Sequence, residues 1–289
     1  MNEARILHKL RSRVRSVPSS WITKGIGDDC AVLRQPGARE DLVFTTDMLI
    51  EDVHFLRSTH PPEAIGHTAL ARGLSDIAAM GATPRFCLLS LALPGWADEA
   101  WLDRFWSGFL KLARRARVEL AGGDLAKAAR LTCDIVVCGS VARGKALLRS
   151  GARVGELVYV SGLLGGAEAR RQAGLVRLPQ PRLVLGRGLL RRATACMDLS
   201  DGLSLDLHRL CLASGVAAVV DHVPAAKGAT EQQALHGGED YELLFTLPRR
   251  AKPPKGCHLI GVITEAPAGA VWYRGERLEP KGWDHFGRG

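Results

Sequence analysis

Aspartates in short motifs with glycine, serine or threonine are the residues of this chain best suited to do chemistry. The motifs are GIGDDC, TTD, GLSD, GGD and MDLSDG, and apolar residues lead into most of them. Carboxylate oxygens are preferred ligands of hard cations such as Mg²⁺, and several carboxylates together can hold metal ions that neutralise phosphate groups. The pattern therefore favours a site that handles metal and phosphate. The candidates are Asp28, Asp29, Thr45, Thr46, Asp47, Asp76, Asp124, Asp198 and Asp201.

Taken singly, each of these aspartates also has a structural explanation. Asp is common in turns and at helix N-caps because its side chain accepts backbone N–H bonds. Asp201, just before a predicted helix, is explained as well by capping as by metal binding, and Asp28 by shaping its turn. Asp198 ends a predicted strand, where capping does not apply. The five motifs together favour the metal site.

The GGD motif at 122–124 is predicted to form a glycine-rich turn between a helix and a strand. Glycines let backbone N–H groups approach a phosphate, and Asp124 can hold the metal that bridges it. The sequence has no P-loop pattern and no protein-kinase motif set. It also lacks the G-x-S-x-G and H-E-x-x-H motifs, which disfavours a serine hydrolase or a zinc protease.

Helices and strands alternate in both halves of the chain, which predicts an α/β (α+β) fold of two domains rather than one dinucleotide-binding unit. Glycines and arginines near 149–156 mark the boundary between domains 1–148 and 149–289. Apolar spacing predicts helices at 3–16, 62–80, 98–117 and 203–214, and strands at 42–47, 86–94, 131–142, 157–162, 216–220, 242–247, 257–263 and 270–273, with a further strand that ends at Asp198.

Composition excludes some classes of protein and leaves others open. The net charge of +9 suits either a polyphosphorylated substrate or nucleic acid, but the arginines are dispersed and no basic stretch is interleaved with aromatic residues. The seven cysteines form no C-x-x-C pair, which predicts buried apolar thiols rather than a zinc site or disulfides. No run reaches the ~18 apolar residues of a membrane helix and the N-terminus has no apolar signal core, so we expect a cytoplasmic protein.

Eight motifs follow one another in a familiar order. They are GIGDDCAVL, TTDMLIEDVHF, ARGLSDIAAMGATP, GGDL, RSGARVGE, MDLSDGLSLDLHRL, GGEDYELLFT and the terminal GWDHF. In these motifs the chain resembles the thiamine-monophosphate kinase family, within the aminoimidazole ribonucleotide synthetase-like superfamily. The resemblance covers nearly the whole chain. The aspartate motifs belong to the superfamily, whereas GGEDYELLFT and GWDHF are more specific to the kinases.

The resemblance implies a two-domain fold whose N-terminal strands join those of a second subunit in a dimeric barrel, with ATP in the groove between the domains. It implies Mg²⁺-dependent, direct in-line transfer of the γ-phosphate of ATP to thiamine monophosphate, without a catalytic side chain. It implies metal ligands at Asp29, Thr45, Thr46, Asp47, Asp76, Asp124, Asp198 and Asp201. It implies ATP contacts at Gly123, Asp124, Arg149 and Ser200, and thiamine-phosphate contacts at His54, Glu239 and Trp283.

Two other functions remain as alternatives. One is a related ATP-dependent synthetase of the same superfamily that acts on another acceptor. The other is a basic, non-catalytic nucleic-acid-binding protein, which leaves the aspartates unexplained because acids repel a polyanion unless metal is present. We therefore expect ATP, several Mg²⁺ ions, thiamine monophosphate and a second copy of the chain as partners, and neither nucleic acid nor membrane.

Overall fold

The first half of the chain forms a six-stranded sheet that carries two long helices on one face. This computed structural model describes residues 3–14, 21–283 and 285–286. Helix α2 lies on the sheet and α3 packs against α2, after a short N-terminal helix α1. The helices are α1 (Glu3–Arg13), α2 (Pro62–Ala79) and α3 (Glu99–Ala116). The strands, in the order β1-β2-β3-β6-β4-β5, are β1 (Ile22–Lys24), β2 (Ala31–Leu33), β3 (Glu40–Ile50), β4 (Thr83–Leu93), β5 (Glu119–Lys127) and β6 (Thr132–Ala142).

The ends of the two long helices follow from local chemistry. Pro62 opens α2, where a missing N–H costs nothing because the first turn leaves its N–H groups without helical partners. The Asp98 carboxylate accepts a hydrogen bond of 2.8 Å from the Trp101 N–H and so caps α3. Gly66 lets the helices meet closely, because an added Cβ would lie 2.1 Å from the Phe105 carbonyl oxygen.

The second half forms a seven-stranded sheet with four helices. Its neighbouring strands are antiparallel except for one parallel pair, β9 and β12. The helices are α4 (Gly166–Gln172), α5 (Leu183–Leu189), α6 (Leu203–Ser214) and α7 (Glu231–His236). The strands, in the order β13-β12-β9-β11-β7-β10-β8, are β7 (Leu157–Val160), β8 (Ala195–Asp198), β9 (Ala217–Val220), β10 (Leu243–Leu247), β11 (His258–Thr264), β12 (Val271–Tyr273) and β13 (Glu276–Arg277).

Helix α2 joins the two halves. Ala78 and Ala79, at its C-terminal end, are fully buried in a cluster with Tyr159, Cys196 and Phe245 of the second sheet. The same helix contributes to the core of the first half. One side of α2 therefore faces the second sheet, and polar residues on that side are carried into the boundary between the halves.

The predicted helices and strands are found in the structure to within a few residues, except at GGD. Residues 122–124 lie inside β5, which pairs in parallel with β4, and not in a turn. An added Cβ on Gly123 would lie 1.8 Å from the Leu89 carbonyl oxygen, so close strand pairing is one reason for glycine there. The first helix ends at Arg13, and residues 15–16 of its prediction lie outside the described residues.

Burial confirms the prediction that the cysteines are buried thiols. All seven cysteines are free thiols, and Cys257 alone is not fully buried. Among the described residues, no helix has both the length and the apolar character that crossing a membrane demands.

Candidate functional site

A cavity of about 530 Å³ lies where the two halves meet. Its walls come from segments far apart in the chain: the loop before β2, strand β3, helix α2, and the loops that follow β8 and precede β10. Most of the residues expected at the site line this cavity, and they are Asp29, Thr45, Thr46, Asp47, His54, Asp76, Arg149, Asp198, Ser200, Asp201, Glu239 and Trp283.

Three carboxylates that line the cavity lie close together. Asp29, Asp76 and Asp198 each offer an oxygen that lies within 4.8 Å of the others. Asp29 and Asp198 are buried, and Asp76 is half-buried. We call these three residues the acid cluster.

Separate elements deliver the members of the acid cluster. Asp76 lies on α2, and Asp198 ends β8 at the edge of the second sheet. The Ser75 hydroxyl, also on α2, donates a 2.7 Å hydrogen bond to Asp198 Oδ2 across the boundary. Asp29 comes from the loop before β2 and is held by Arg149 through bonds of 3.0 and 2.5 Å.

Burial and mutual repulsion shift the protonation of the acid cluster. Burial, as the main cause, raises the pKa of Asp29 to about 6, although the Arg149 guanidinium opposes this shift. The pKa of Asp76 is raised well above its ordinary value by burial and by the carboxylates of Asp47, Asp198 and Asp29. That of Asp198 is raised in the same way by burial and by Asp29. Carboxylates packed so closely are stable as anions only with a positive charge among them.

The acid cluster fits a divalent cation of the Mg²⁺ type. All three residues offer oxygen donors, which such hard ions prefer. One oxygen of each carboxylate already accepts a hydrogen bond. The donors are Arg149 to Asp29, Thr45 to Asp76 and Ser75 to Asp198. The other oxygen of Asp29, Oδ2, is buried and has no hydrogen-bond partner among the described residues. A buried acceptor of this kind is available to coordinate a cation.

Strand β3 divides the TTD motif between two faces of the sheet. Successive side chains of a strand point to opposite faces, so Thr45 and Asp47 share one face and Thr46 takes the other. Thr45 hydrogen-bonds to Asp76, on the side covered by α2. Thr46 is exposed and donates a 2.8 Å hydrogen bond to Asp134 of β6. The Thr46 side chain is therefore turned away from the acid cluster, although the residue lines the cavity.

Arg72 connects the metal-binding and substrate-binding candidates. Its guanidinium lies 3.6 Å from Asp47 Oδ1 and 3.4 Å from Glu239 Oε1. Its position four residues before Asp76 puts both side chains on one face of α2. That spacing in the motif ARGLSD is the signal from which Arg72 could have been predicted as a site residue, although it was not.

Asp201 does not cap α6. The N-cap is Gly202, and the Asp206 carboxylate accepts the backbone N–H bonds of Asp201 and Gly202, at 3.0 and 3.1 Å. Asp201 instead pairs with Arg209, two turns along α6, and its side chain lines the cavity. Of the two explanations for Asp201, helix capping is therefore wrong.

The residues expected to contact thiamine phosphate also line the cavity. His54 accepts a 3.0 Å hydrogen bond from the Ile50 N–H at Nδ1, and its Nε2 is buried without a partner among the described residues. Burial, with Arg72 and His285 as smaller causes, lowers the pKa of His54 to about 3, so its ring is neutral. Trp283 is 45% exposed and is tied to the Asp201 carbonyl by a 3.1 Å backbone bond. Its ring is therefore accessible to a flat ligand.

Gly123 and Asp124 are not brought to this cavity within one chain. Both lie on β5, the edge strand of the first sheet, and Asp124 accepts a bond from the N–H of its neighbour Leu125. Asp28 does line the cavity, and there it accepts a 3.0 Å bond from the Arg149 N–H. Sequence reasoning missed Arg72, Arg209 and Tyr241, all of which line the cavity.

Comparison with known proteins gives a consistent result. The family model "AIR synthase related protein, N-terminal domain" matches residues 27–141. Thiamine-monophosphate kinase of Escherichia coli K12 is 36% identical over 98% of each chain. The Bacillus subtilis enzyme of the same name is 31% identical over 99% of this chain and 100% of its own.

Solved structures agree with these relatives. AaThiL complexed with AMPPCP and TMP superposes with a TM-score of 0.88 at 30% identity, covering 99% of this chain and 97% of that one. A hydrogenase maturation protein, HypE in complex with ATP, shares the fold at 20% identity with a TM-score of 0.70, covering 86% of this chain and 87% of its own. Because these relatives match over nearly the full length of both chains at 31–36% identity, the chain belongs to the thiamine-monophosphate kinase family.

Proposed function

We propose that this protein transfers the γ-phosphoryl group of ATP to thiamine monophosphate, giving ADP and thiamine diphosphate. The thiamine-monophosphate kinases of Escherichia coli and Bacillus subtilis match the chain over nearly its whole length. The neighbour of highest TM-score given above is complexed with AMPPCP, an ATP analogue, and with TMP. The observation that carries the proposal is that a single cavity is lined both by the acid cluster and by His54, Glu239 and Trp283.

In this proposal the acid cluster holds Mg²⁺ together with Asp47, Thr45 and Asp201. Thr46 and Asp124 remain proposed ligands, Thr46 through its backbone oxygen because its side chain bonds Asp134. Bound Mg²⁺ neutralises phosphate charge and so lowers the barrier to attack. More than one ion is expected, because the carboxylates outnumber those that converge on one point.

The side chains of this protein bind and orient the two substrates. Arg149 and Ser200 contact the nucleotide phosphates, and Arg149 offers a planar pair of donors suited to them. Trp283 stacks on the thiamine ring, whose positive charge favours an aromatic face. His54 donates through Nε2–H, because its neutral ring already accepts the Ile50 N–H at Nδ1. Glu239 contacts the acceptor. No protein group has to remove a proton, because the attacking phosphate oxygen is already anionic.

We also propose a homodimer in which the first-half sheets of two copies form a barrel. In one chain this sheet is open, with β1 and β5 as its edges, and nearly every residue of β5 is exposed. Met48 and Leu88, on the face of the sheet opposite α2, are 51% and 37% exposed. Edge strands and apolar surface of this kind are usually covered by a partner. Gly123 and Asp124 would then contribute to ATP and metal binding from the partner.

Two further proposals concern organisation and location. The proposed domains are 1–148 and 149–289. Their boundary falls between the last strand of the first sheet, which ends at Ala142, and the first strand of the second sheet, which begins at Leu157. Seven free thiols suit the reducing cytoplasm.

The test is a direct assay of purified protein with ATP, Mg²⁺ and thiamine monophosphate, in which thiamine diphosphate is measured by chromatography. Stoichiometric formation of ADP and thiamine diphosphate is expected. ATP consumption without thiamine diphosphate would contradict the proposal and would support the alternative of a synthetase for another acceptor. When aspartates of the site are replaced by asparagine, the Asp103→Asn variant, altered on the exposed side of α3, is the matched control for activity lost through the change of charge alone.

A further inference from the structure

The proposed mechanism leaves two buried polar side chains of the cavity without a role. Arg72 Nε and the Tyr241 hydroxyl are both buried and have no hydrogen-bond partner among the described residues. A buried donor without a partner costs about 1–3 kcal/mol, so such groups are kept where a ligand satisfies them. Both residues line the cavity, and Tyr241 is only 3% exposed.

Tyr241 is aimed by a strained loop. Glu239 and Tyr241 have φ angles of 64° and 51°, a left-handed conformation that is unusual for large side chains. Asp240 between them holds the loop, because its buried carboxylate accepts bonds of 2.5 and 3.1 Å from the N–H groups of Gly165 and Ala167. Hydrogen bonds to another segment of the chain, at the start of α4, maintain the strain, which indicates that the direction of the side chains matters.

The loop is also fastened beside the acid cluster. The Tyr241 N–H donates to the Leu199 carbonyl at 2.9 Å, and the Glu239 N–H donates to the Ser200 carbonyl at 2.7 Å. Leu199 directly follows Asp198. Tyr241 is thus held beside the acid cluster, in the same loop as Glu239.

Arg72 and Tyr241 form a pair at this point. The Arg72 Cζ lies 5.9 Å from the centre of the Tyr241 ring. The same guanidinium reaches Asp47 on the metal side and Glu239 on the acceptor side. Burial, with the nearby carboxylates, raises the pKa of Tyr241 well above its ordinary value, so the phenol keeps its proton and can donate a hydrogen bond. The pair therefore offers one neutral and one cationic donor.

We propose that Tyr241 is a further catalytic residue, whose O–H donates a hydrogen bond to an oxygen of the phosphoryl group in transfer, beside Arg72. This assignment rests on the proposed function. An oxygen of thiamine monophosphate forms the new bond to the γ-phosphorus, and the bond from that phosphorus to the β,γ-bridging oxygen breaks. The electron pair of the broken bond leaves with ADP, and Tyr241 retains its proton. Donors aimed at developing charge commonly account for a large part of a rate enhancement.

The test is Tyr241→Phe, which removes one oxygen atom and keeps the ring over Arg72. Loss of a donor to the transition state is expected to lower kcat by about 10²-fold. Dissociation constants for thiamine monophosphate and for AMPPCP should change far less. Binding of ADP with aluminium fluoride and thiamine monophosphate, a mimic of the phosphoryl group in transfer, should weaken about as much as kcat falls. The thermal midpoint should not fall, because no described partner loses its bond.

Tyr159→Phe is the matched control, since Tyr159 is a buried tyrosine that stacks on Phe245 outside the cavity. Its kcat should equal that of the wild type. An unchanged kcat in Tyr241→Phe would overturn the assignment. A raised KM for thiamine monophosphate with unchanged kcat would overturn it too, because it would place the hydroxyl on the bound acceptor alone. If the wild-type protein forms no thiamine diphosphate, the proposed function fails, and this assignment fails with it.

Discussion

Arg149 directs both of its hydrogen bonds to Asp29 at the same carboxylate oxygen, from Nε at 3.0 Å and from Nη2 at 2.5 Å. The other oxygen, Oδ2, is left buried and without a hydrogen-bond partner among the described residues. Arg149 thereby orients a carboxylate of the acid cluster and at the same time lines the cavity. The two residues act as one unit in the metal and nucleotide site that we propose.

Arg149→Lys is expected to weaken ATP binding. Lysine keeps the positive charge but loses the forked donor, and charge-assisted hydrogen bonds are worth about 1.5–3 kcal/mol each. We expect the KM for ATP to rise about tenfold or more, with a smaller change in the KM for thiamine monophosphate. Steady-state kinetics measure both. Arg153→Lys, an exposed change in the same segment, is the control, and equal KM values in Arg149→Lys and the wild type would remove Arg149 from the ATP site.

Asp198→Asn should separate metal binding from folding. Burial and the neighbouring Asp29 raise the pKa of Asp198, so a neutral amide of the same shape relieves repulsion in the metal-free protein. The thermal midpoint without Mg²⁺ should stay the same or rise. The increase that Mg²⁺ causes in the wild type, and phosphoryl transfer, should both be lost. Scanning fluorimetry with and without Mg²⁺ is the measurement, and a full Mg²⁺ response in Asp198→Asn would exclude this carboxylate as a ligand.

Stability without metal should fall as the pH rises from about 4 to about 6. Burial raises the pKa of Asp29 from 3.8 to about 6, so in this range the folded protein binds more protons than the unfolded chain. The contribution of Asp29 is thus complete below pH 3.8 and is lost as the pH passes 6. Mg²⁺ binds the ionised form, so its stabilising effect should be larger at pH 7.5 than at pH 5. Thermal unfolding at both values decides the sign, and a larger effect at pH 5 would contradict it.

Asp124 offers a test of the proposed dimer. Asp124→Asn and Asp198→Asn should each abolish transfer when assayed alone. If Asp124 serves the cavity of the partner, a mixed dimer of the two variants contains one intact site. Mixing them under conditions that exchange subunits should therefore restore activity in proportion to the mixed dimer, as measured by native mass spectrometry. Full activity of Asp124→Asn by itself would place this residue outside the site, and no recovery on mixing would show that both residues serve one chain.

Trp283→Ala should weaken the binding of thiamine monophosphate more than that of AMPPCP. Trp283 lines the cavity and is half-exposed, and stacking on a cationic ring contributes about 1–2 kcal/mol, or about 5- to 30-fold in affinity. Trp283→Phe retains an aromatic face and should recover most of the loss. Calorimetric titration with each ligand measures both constants. An equal loss for the two ligands would assign Trp283 a structural role.

The sequence by itself determined the elements and the chemistry of the site. Helical spacing, Pro62 and Asp98 define α2 and α3 locally, because caps and apolar periodicity act within a few residues. The oxygen-rich motifs indicated metal and phosphate, and the motifs around Glu239 and Trp283 indicated the family. The glycine pair before Asp124 misled, because glycines that allow two strands to pair closely resemble glycines of a turn.

Only the tertiary structure decided which of these aspartates meet. Asp29, Asp76 and Asp198 converge because α2 packs between the two sheets, and no local pattern encodes that packing. The twofold alternation of β3 turned Thr46 away from the acid cluster, and the packing of the GGEDY loop against Leu199 placed Tyr241 in the wall of the cavity. Side-chain types follow from the sequence directly, whereas their convergence depends on contacts between distant segments.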